Sequence, residues 1–370
     1  MNRMRSRWRR SVAKGSLVLA GLVLGLLIAE GIARLAGIDP GIHVIYRENF
    51  RLSDNPRLRY ELQPLSRDGT AQINSSGMRD RERALAKPAE VYRIAIVGDS
   101  IAYGLTVDQR IAFPQQLERM LNDRSQSGPR FEVLNLGVSG YNSDQIVERL
   151  RTLGLAHSPD LIIYAYSLND PQTFSLELQG LTAMSREAET KLRPSQAVLK
   201  WLSNSRVFLL LWRSFQEPWT RPVRPARQSP DYLAVVSGRH VEYFESLHAG
   251  ESWQRLQRGF AEMAGLGRDP DGSPRMLVAV VPIYLGEEGP YPLSGLHRRI
   301  LAEAERHALE ALDLAPFLMG SRDTTHGAFF NDPFHPSAEG HRRVAAGLLG
   351  WLEDAGVLSA PPPSQPQPQP

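Results

Sequence analysis

The apolar residues of this chain follow two different patterns. Residues 15–29 (GSLVLAGLVLGLLIA) form an uninterrupted apolar run without a polar face. From residue 91 onward, short apolar runs alternate with segments whose apolar residues recur every three or four positions. Short continuous runs are typical of strands buried on both faces, and helices between them predict a parallel sheet covered on both sides.

Four of the short runs predict strands, and two of the periodic segments between them predict helices. The strands are expected at residues 91–97 (VYRIAIV), 131–136 (FEVLNL), 161–166 (LIIYAY) and 276–281 (MLVAVV), and the helices at 113–121 and 144–153. The predicted fold class is α/β, with three α/β/α layers around a central, mostly parallel sheet. Ligands of such sheets bind beyond the carboxyl ends of the strands, so candidate chemistry is sought there.

Positive charge is concentrated before the first apolar run. The first 14 residues contain no acid and six basic residues, namely Arg3, Arg5, Arg7, Arg9, Arg10 and Lys14. The whole chain has a net charge of +3, whereas the part after residue 14 carries 37 basic and 40 acidic residues. The main body therefore gives no sign of a nucleic-acid-binding surface, and the basic tail is typical of a membrane-targeting segment.

Continued as a helix through residue 38, the apolar run is about 36 Å long, enough to cross a hydrocarbon core of about 30 Å. We expect residues 15–38 to be a retained transmembrane signal anchor rather than a cleaved signal peptide, because the best cleavage motif, at 31–33, is flanked by charge. Basic residues stay on the cytoplasmic side, so residues 1–14 are expected in the cytoplasm. The rest of the chain is expected on the periplasmic or extracellular side of the inner (cell) membrane.

The remaining organisation follows from composition. Residues 39–90 are rich in turn signals and are expected to form a membrane-proximal region. The C-terminal residues 357–370 are rich in proline and predict a disordered tail. The chain has no cysteine, which excludes disulfides and a thiolate metal site or nucleophile.

Polar motifs follow three successive predicted strands, and a fourth lies near the C-terminus. Residues 98–100 (GDS) follow the first strand, 137–142 (GVSGYN) the second and 167–170 (SLND) the third. Residues 332–336 (DPFHP) open a helix that is expected to pack through Val344, Leu348 and Leu352. Each motif alone is common in loops, but strand ends of a parallel sheet meet at one edge.

With these four motifs in this order, the chain resembles the SGNH (GDSL-type) hydrolases over residues 92–352, apart from a long stretch between the third and last motifs. The resemblance implies a flavodoxin-like hydrolase domain at 91–356 with an insertion at about 171–275. It implies that Ser100 is the nucleophile and that Asp332 and His335 are the acid and the base of a catalytic triad.

The resemblance also implies an oxyanion hole. Gly140 and Asn169, with the backbone N–H of Ser100, match the family's donors. Ser167 stands where the family often has glycine, which affects the expected geometry of that loop. No Gly-x-Ser-x-Gly motif surrounds Ser100, so a nucleophile elbow of the α/β-hydrolase type is not supported.

The chemistry of these residue types agrees with such roles. A serine hydroxyl needs a base to take its proton, and histidine titrates near the working pH. An acid on the other ring nitrogen fixes the tautomer, and preorganised N–H donors stabilise the oxyanion of a tetrahedral intermediate. Neither a cofactor nor a metal is expected.

Alternative interpretations stay open at several positions. Ser100 would serve as a simple helix N-cap. Asn169 would cap the segment that follows it, a role that Asp170 would equally fill. Gly137 is a rival to Gly140 as an oxyanion donor, and Gly140 would then be only a turn glycine.

The last motif has a rival as well. Asp323 and His326 repeat the same Asp-x-x-His spacing nine residues earlier, and are expected to lie in a loop or pocket. A metal site built from His326, Asp332, His335 and His341 is a further alternative, although no recognisable ligand motif is present.

The expected function is a serine esterase that cleaves a carboxylic ester through a seryl acyl-enzyme, on a small molecule, glycan or lipid substrate. The expected location points to O-acetyl or O-acyl groups of an envelope polysaccharide or lipid. The same residues would serve an O-acyltransferase that passes the acyl group to a glycan. A non-catalytic glycan-binding or assembly protein is the alternative of another class. Within the insertion, residues 207–212 (VFLLLW) are expected either to pack in the core or to contact an acyl chain or the membrane.

Overall fold

The computed structural model divides into two compact units, one formed by residues 1–42 and 193–220 and the other by residues 43–192 and 221–370. The residues that the structure describes are 2–36, 49–67, 71–125, 128–173, 175, 177–178, 202, 205–208, 210–211, 234, 237–266, 276–284, 290–319 and 329–359.

The first unit is built on one long helix, α1 (Asn2–Leu35). Its stretch Lys14–Leu35 is long and apolar enough to cross a membrane, a property that signal sequences share. Its exposed large apolar side chains include Val18, Leu22, Val23, Leu24, Leu26, Leu27, Ile28, Ile32 and Leu35. An apolar surface of this kind on nearly all sides of a helix suits a lipid environment.

Near the end of α1, the Glu30 carboxylate pairs with Arg34 at 2.7 Å. It also accepts hydrogen bonds from the Ser205 hydroxyl at 2.9 Å and from the backbone N–H groups of Arg206 and Val207 at 3.2 and 3.0 Å. Of the apolar segment 207–212, the described residues 207, 208, 210 and 211 are helical. Part of the insertion is thus bound to the N-terminal helix.

The second unit contains all the strands of the described residues: β1 (Phe50–Leu52), β2 (Tyr60–Leu62), β3 (Val91–Gly98), β4 (Arg130–Asn135), β5 (Leu161–Ser167), β6 (Met276–Val281) and β7 (Glu310–Asp313). The strands β1 and β2 form an antiparallel pair. The other five form a parallel sheet in the order β4-β3-β5-β6-β7. The chain places β4 on one side of β3 and then β5 on the other, and ligands of such sheets bind beyond the carboxyl ends of the strands at this kind of switch point.

Helices cover both faces of the parallel sheet. They are α2 (Ser100–Tyr103), α3 (Phe113–Arg124), α4 (Ser143–Arg149), α5 (His240–Leu247), α6 (Gly250–Leu266), α7 (Ser294–Arg306), α8 (Ala315–Met319) and α9 (Ala338–Asp354). The helix α4 begins at a capping box made by Asn142 and Gln145 and continues into a π turn at Leu150–Gly154. The α/β/α prediction is confirmed, as are the four predicted strands.

The hydrophobic core lies in two layers because side chains alternate along each strand. On β3, Ile94 and Ile96 face the layer formed with α2, α3, α8 and α9. Their neighbours Ala95 and Val97 face the opposite layer, formed with α4, α5, α6 and α7. All strands but β7 in the parallel sheet are buried almost throughout, as their continuous apolar sequences predict.

The segment before the sheet also belongs to this core. Six of its side chains are buried in the second layer: Phe50, Leu58, Tyr60, Leu62, Ile73 and Met78. The buried guanidinium of Arg79 donates to the carbonyl oxygens of Tyr103, Gly104 and Val107. The sequence pattern sets the start of the hydrolase domain at residue 91, but the compact unit begins at residue 43.

Described structure continues past the expected C-terminal end of the hydrolase domain at residue 356. The proline-rich tail was expected to be disordered from residue 357, but Val357–Ser359 forms a 3-10 turn whose Val357 and Leu358 pack against the core. Residues 37–48 and 360–370, and residues 221–227 of the insertion, lie outside the described part of the chain.

Candidate active site

Ser100 is the first residue of α2, directly beyond the carboxyl end of β3. The N-cap of this helix is Asp99, whose carboxylate accepts the N–H of Ile101 at 2.9 Å. The Ser100 Oγ lies 2.9 Å from His335 Nε2 and 3.3 Å from Asp99 Oδ2. The capping role that was open for Ser100 is therefore taken by Asp99, and the serine hydroxyl faces a histidine ring.

The other ring nitrogen of His335 faces a carboxylate. His335 Nδ1 lies 2.9 and 2.8 Å from the two carboxylate oxygens of Asp332. The same carboxylate accepts the backbone N–H groups of Phe334 and His335. Burial acts to raise the pKa of Asp332, but His335 and these N–H donors outweigh it and hold the pKa below its usual value. Asp332 is therefore an ionised acceptor at neutral pH.

The loop that presents this pair is fixed at several points. The Asn331 N–H donates to the His335 carbonyl oxygen at 2.9 Å, and the Asn331 amide reaches the Thr106 hydroxyl at 2.9 Å. The Tyr284 N–H, just beyond β6, donates to the Pro333 carbonyl oxygen at 2.7 Å. The last motif is thus tied to the end of β6 and to the loop after α2.

The two glycines of the second motif have different surroundings. The Gly137 N–H donates to Asn135 Oδ1 at 3.0 Å, and a Cβ at Gly137 would lie 2.2 Å from the backbone nitrogen of Tyr103. Gly137 therefore permits close packing of β4 against α2, and its N–H is already used. Gly140 has a φ of +75°, and its N–H has no hydrogen-bond partner among the described residues.

Asn169 lies in the turn that follows β5. Within the described part of the chain, its side-chain amide has no hydrogen-bond partner, while its carbonyl oxygen accepts the Gln172 N–H at 2.9 Å. Ser167, which replaces the family's frequent glycine, ends β5 and is not among the residues with positive φ. The backbone at Ser167 therefore does not need the freedom of glycine at positive φ.

Asp170 joins the second and third motifs, a role that sequence reasoning missed. Its buried carboxylate accepts the Tyr164 hydroxyl at 2.6 Å and the Ser167 N–H at 3.0 Å. Its carbonyl oxygen accepts the N–H of Ser143 at 2.9 Å. Burial, with Asp99 nearby, raises the pKa of Asp170 well above its usual value. The sequence signal was only the adjacency of an acid to Asn169.

The other candidate histidines are His326 and His341. His326 and Asp323 lie outside the described residues. His341 is buried, its Nδ1 accepts the Phe113 N–H at 3.2 Å, and its ring stacks on Phe113 at a centroid distance of 5.9 Å. Across the described ranges, no group of three or more histidines and carboxylates is placed to hold a metal ion.

The arrangement has a definite chemical capacity. A hydroxyl, an imidazole and an ionised carboxylate are linked in series by contacts of 2.8–2.9 Å. Such a series can transfer a proton from the hydroxyl to the imidazole while the carboxylate stabilises the resulting charge. The turns with Gly140 and Asn169 begin at the ends of the two strands that flank β3.

The model of the GDSL-like lipase/acylhydrolase family matches residues 96–343. Similar solved structures include TesA (16% identity, 71% of this chain and 98% of that chain, TM-score 0.40) and the lipase/acylhydrolase from Enterococcus faecalis (13%, 71% and 96%, TM-score 0.41). A two-domain esterase active on acetylated mannans is also similar (16%, 76% and 54%, TM-score 0.38). No curated protein matches this chain.

Proposed function

Because this chain belongs to the GDSL-like lipase/acylhydrolase family and is a hydrolase acting on ester bonds, we propose that it cleaves carboxylic esters through a Ser100–His335–Asp332 triad. One observation carries the proposal. The Ser100 hydroxyl, the two ring nitrogens of His335 and the Asp332 carboxylate form an unbroken series of contacts.

The reaction would run through an acyl-enzyme. Ser100 Oγ attacks the ester carbonyl carbon while its proton passes to His335 Nε2, and Asp332 stabilises the imidazolium. The N–H groups of Ser100 and Gly140 and the amide of Asn169 donate to the oxyanion. Collapse of the intermediate expels the alcohol, which takes the proton from His335. Water then attacks the acyl group by the same route and releases the acid and the free serine.

The choice of oxyanion donors rests on their availability. The Gly137 N–H is engaged by Asn135, which supports Gly140 as the donor from the second motif. The Asn169 amide, by the same criterion, is available among the described residues. Preorganised donors of this kind act best when they are not already bound elsewhere.

The substrate is proposed to be an O-acylated glycan or lipid of the cell envelope. The support is the basic N-terminus followed by the apolar stretch Lys14–Leu35, which is suited to anchoring the chain with its catalytic unit outside the cytoplasm. An esterase held at a membrane surface meets acylated polymers and lipids at high local concentration.

The test uses the full-length chain in detergent with 4-nitrophenyl acetate as substrate. We expect turnover by the wild-type chain and background release by Ser100→Ala, because the hydroxyl is the only atom of that side chain that can carry the acyl group. A Ser143→Ala variant is the matched control for loss of a buried serine hydroxyl, because the Ser143 hydroxyl donates to the Asp170 carbonyl oxygen at 3.2 Å. Equal rates for Ser100→Ala and the wild type would refute the proposal. Adding an acceptor sugar and measuring acylated product would reveal transfer in place of hydrolysis.

A further inference from the structure

The peptide group between Ser139 and Gly140 is fixed through its carbonyl oxygen, which points away from its N–H. The Tyr60 hydroxyl donates a hydrogen bond to the Ser139 carbonyl oxygen over 2.8 Å. In a trans peptide plane, the carbonyl and the following N–H point in opposite directions. A bond to the Ser139 oxygen therefore sets the direction of the Gly140 N–H.

Tyr60 is itself held firmly. It lies on β2 and is fully buried, with its ring packed edge-on against Tyr141 at 5.1 Å and Phe50 at 5.9 Å. Its own carbonyl oxygen accepts the Tyr141 hydroxyl at 2.5 Å. The Tyr60 hydroxyl consequently has little freedom to leave the Ser139 carbonyl.

Further hydrogen bonds reinforce the same peptide. The Ser175 hydroxyl lies 3.1 Å from the Tyr60 oxygen, and the Ser139 hydroxyl donates to Glu177 Oε1 at 2.6 Å. Bonds linked in series polarise one another, so a donor at the Ser139 oxygen strengthens the Gly140 N–H as a donor. Burial and the Glu177 carboxylate raise the pKa of Tyr60 well above its usual value, which keeps its proton in place.

The space around Gly140 is closed by the same two side chains. A Cβ at Gly140 would lie 2.8 Å from the Tyr60 oxygen and 2.0 Å from Glu177 Oε2. The turn is thus packed on its outer side, and its φ of +75° already demands glycine. These contacts leave no room for a side chain at Gly140 on this face of the turn.

We propose that Tyr60 is a positioning residue for ester hydrolysis, which aims and polarises the Gly140 N–H toward the oxyanion. The inference rests on the proposed function, in which Gly140 is an oxyanion donor. An oxyanion hole acts because its donors are oriented before the reaction, so a peptide plane free to tilt loses part of that effect. The residue comes from the segment ahead of the sheet, where the sequence gives no hint of a catalytic role.

A purely structural role for Tyr60 makes a different prediction. Losing a buried hydroxyl anywhere in the core lowers thermal stability, but it leaves turnover of the folded enzyme unchanged. Tyr166→Phe is the matched control, because Tyr166 is fully buried and, among the described residues, its hydroxyl contacts only the imidazole of His248, at 2.6 Å.

The experiment compares Tyr60→Phe and Tyr166→Phe in the full chain with 4-nitrophenyl acetate. We expect kcat of Tyr60→Phe to fall roughly tenfold with KM within about twofold, since orientation matters in the transition state more than in the bound ester. Both variants should show similar falls in Tm, and Tyr166→Phe should keep its kcat within about twofold.

A double-mutant cycle with Asn169→Ala tests whether Tyr60 acts through the oxyanion hole. Residues that serve one oxyanion are coupled, so Tyr60→Phe should cost less kcat in the Asn169→Ala background than in the wild type. Unchanged kcat in Tyr60→Phe, or equal losses in Tyr60→Phe and Tyr166→Phe, would overturn the inference. If Tyr60→Phe gives either of these results while Ser100→Ala is inactive, the proposed function still stands. An active Ser100→Ala would instead refute the proposed function itself.

Discussion

At the scale of single residues, the ionisation of Asp332 determines which group, when protonated, lowers the activity in acid. Its pKa lies below the usual value because His335 and two backbone N–H groups favour the carboxylate, despite burial. The carboxylate therefore stays ionised through the range in which a histidine base gains its proton. Loss of activity in acid is expected to report protonation of the base, and Asp332 should titrate only at lower pH.

We predict that Asp332→Asn lowers kcat/KM by at least about 10²-fold and moves the acid limb of the pH profile to lower pH. An amide cannot stabilise the imidazolium, so the histidine gives up its proton more readily. The measurement is kcat/KM of the wild type and the variant between about pH 4 and 8. An unshifted acid limb would mean that Asp332 does not act on the base.

Single substitutions also distinguish the two copies of the Asp-x-x-His motif. We predict that His335→Ala lowers turnover by at least about 10³-fold, because His335 faces Ser100 Oγ, whereas His326→Ala costs less than about tenfold. Steady-state turnover of the two folded variants is the measurement. A reversed order of the two losses would move the base to the earlier copy.

Asp170 gives a prediction about stability. Its folded-state pKa is raised above the usual 3.8, so between the two values the folded chain binds more protons than the unfolded chain. Stability should therefore fall as pH rises through that window. Asp170→Asn keeps acceptors for Tyr164 and Ser167 but carries no charge, so its stability relative to the wild type should increase from about pH 4 toward pH 8.

The measurement for Asp170 is urea unfolding of both chains across that pH range. Asp170→Ala is the companion variant, because it removes the acceptor of both hydrogen bonds and should be less stable than Asp170→Asn at every pH. A wild-type chain that gains stability over Asp170→Asn as pH rises would contradict the raised pKa.

At the scale of elements, strand β4 and helix α2 depend on a close approach at Gly137. A methyl group there would lie 2.2 Å from the Tyr103 backbone nitrogen, whereas one at Gly350 in α9 would meet nothing within 4 Å. We predict that Gly137→Ala destabilises the fold by several kcal/mol, while Gly350→Ala stabilises it by about 0.5–1 kcal/mol. Denaturant midpoints of the two variants test this, and equal midpoints would contradict the packing.

The elements also show what a sequence pattern can and cannot predict. Strands β3 to β6 were predictable because they are buried on both faces and therefore have continuous apolar sequences. Strand β7, with the sequence EALD, is only partly buried and has no such run. Strands β1 and β2 have three residues each, too few to display a period.

The candidate site divides in a similar way. Ser100, Gly140, Asn169, Asp332 and His335 lie in motifs whose order and position at strand ends resemble a known family. Tyr60 and Asp170 instead make contacts between segments that are apart in the sequence, Tyr60 with Ser139 and Asp170 with Ser143. A sequence pattern does not predict such contacts, because they depend on how segments that are distant in the sequence pack against each other.

At the scale of the whole molecule, the chain divides into two compact units, and the N-terminal helix belongs to the unit formed by residues 1–42 and 193–220. We predict that the full-length protein stays with the membrane after a carbonate wash and that a C-terminal reporter is active only outside the cytoplasm. The physical reasons are the apolar length of Lys14–Leu35 and the six preceding basic residues. Release into the wash would contradict the anchor, and a reporter active in the cytoplasm would contradict the orientation.

The central claim is that Ser100 carries the covalent intermediate. The most direct measurement is mass spectrometry of the full-length chain after reaction with a fluorophosphonate, which traps a nucleophilic serine as a stable adduct. We expect one adduct on the wild-type chain, located on Ser100, slower labelling of His335→Ala, and no labelling of Ser100→Ala. An adduct on a different serine, or labelling of Ser100→Ala at the wild-type rate, would contradict the claim.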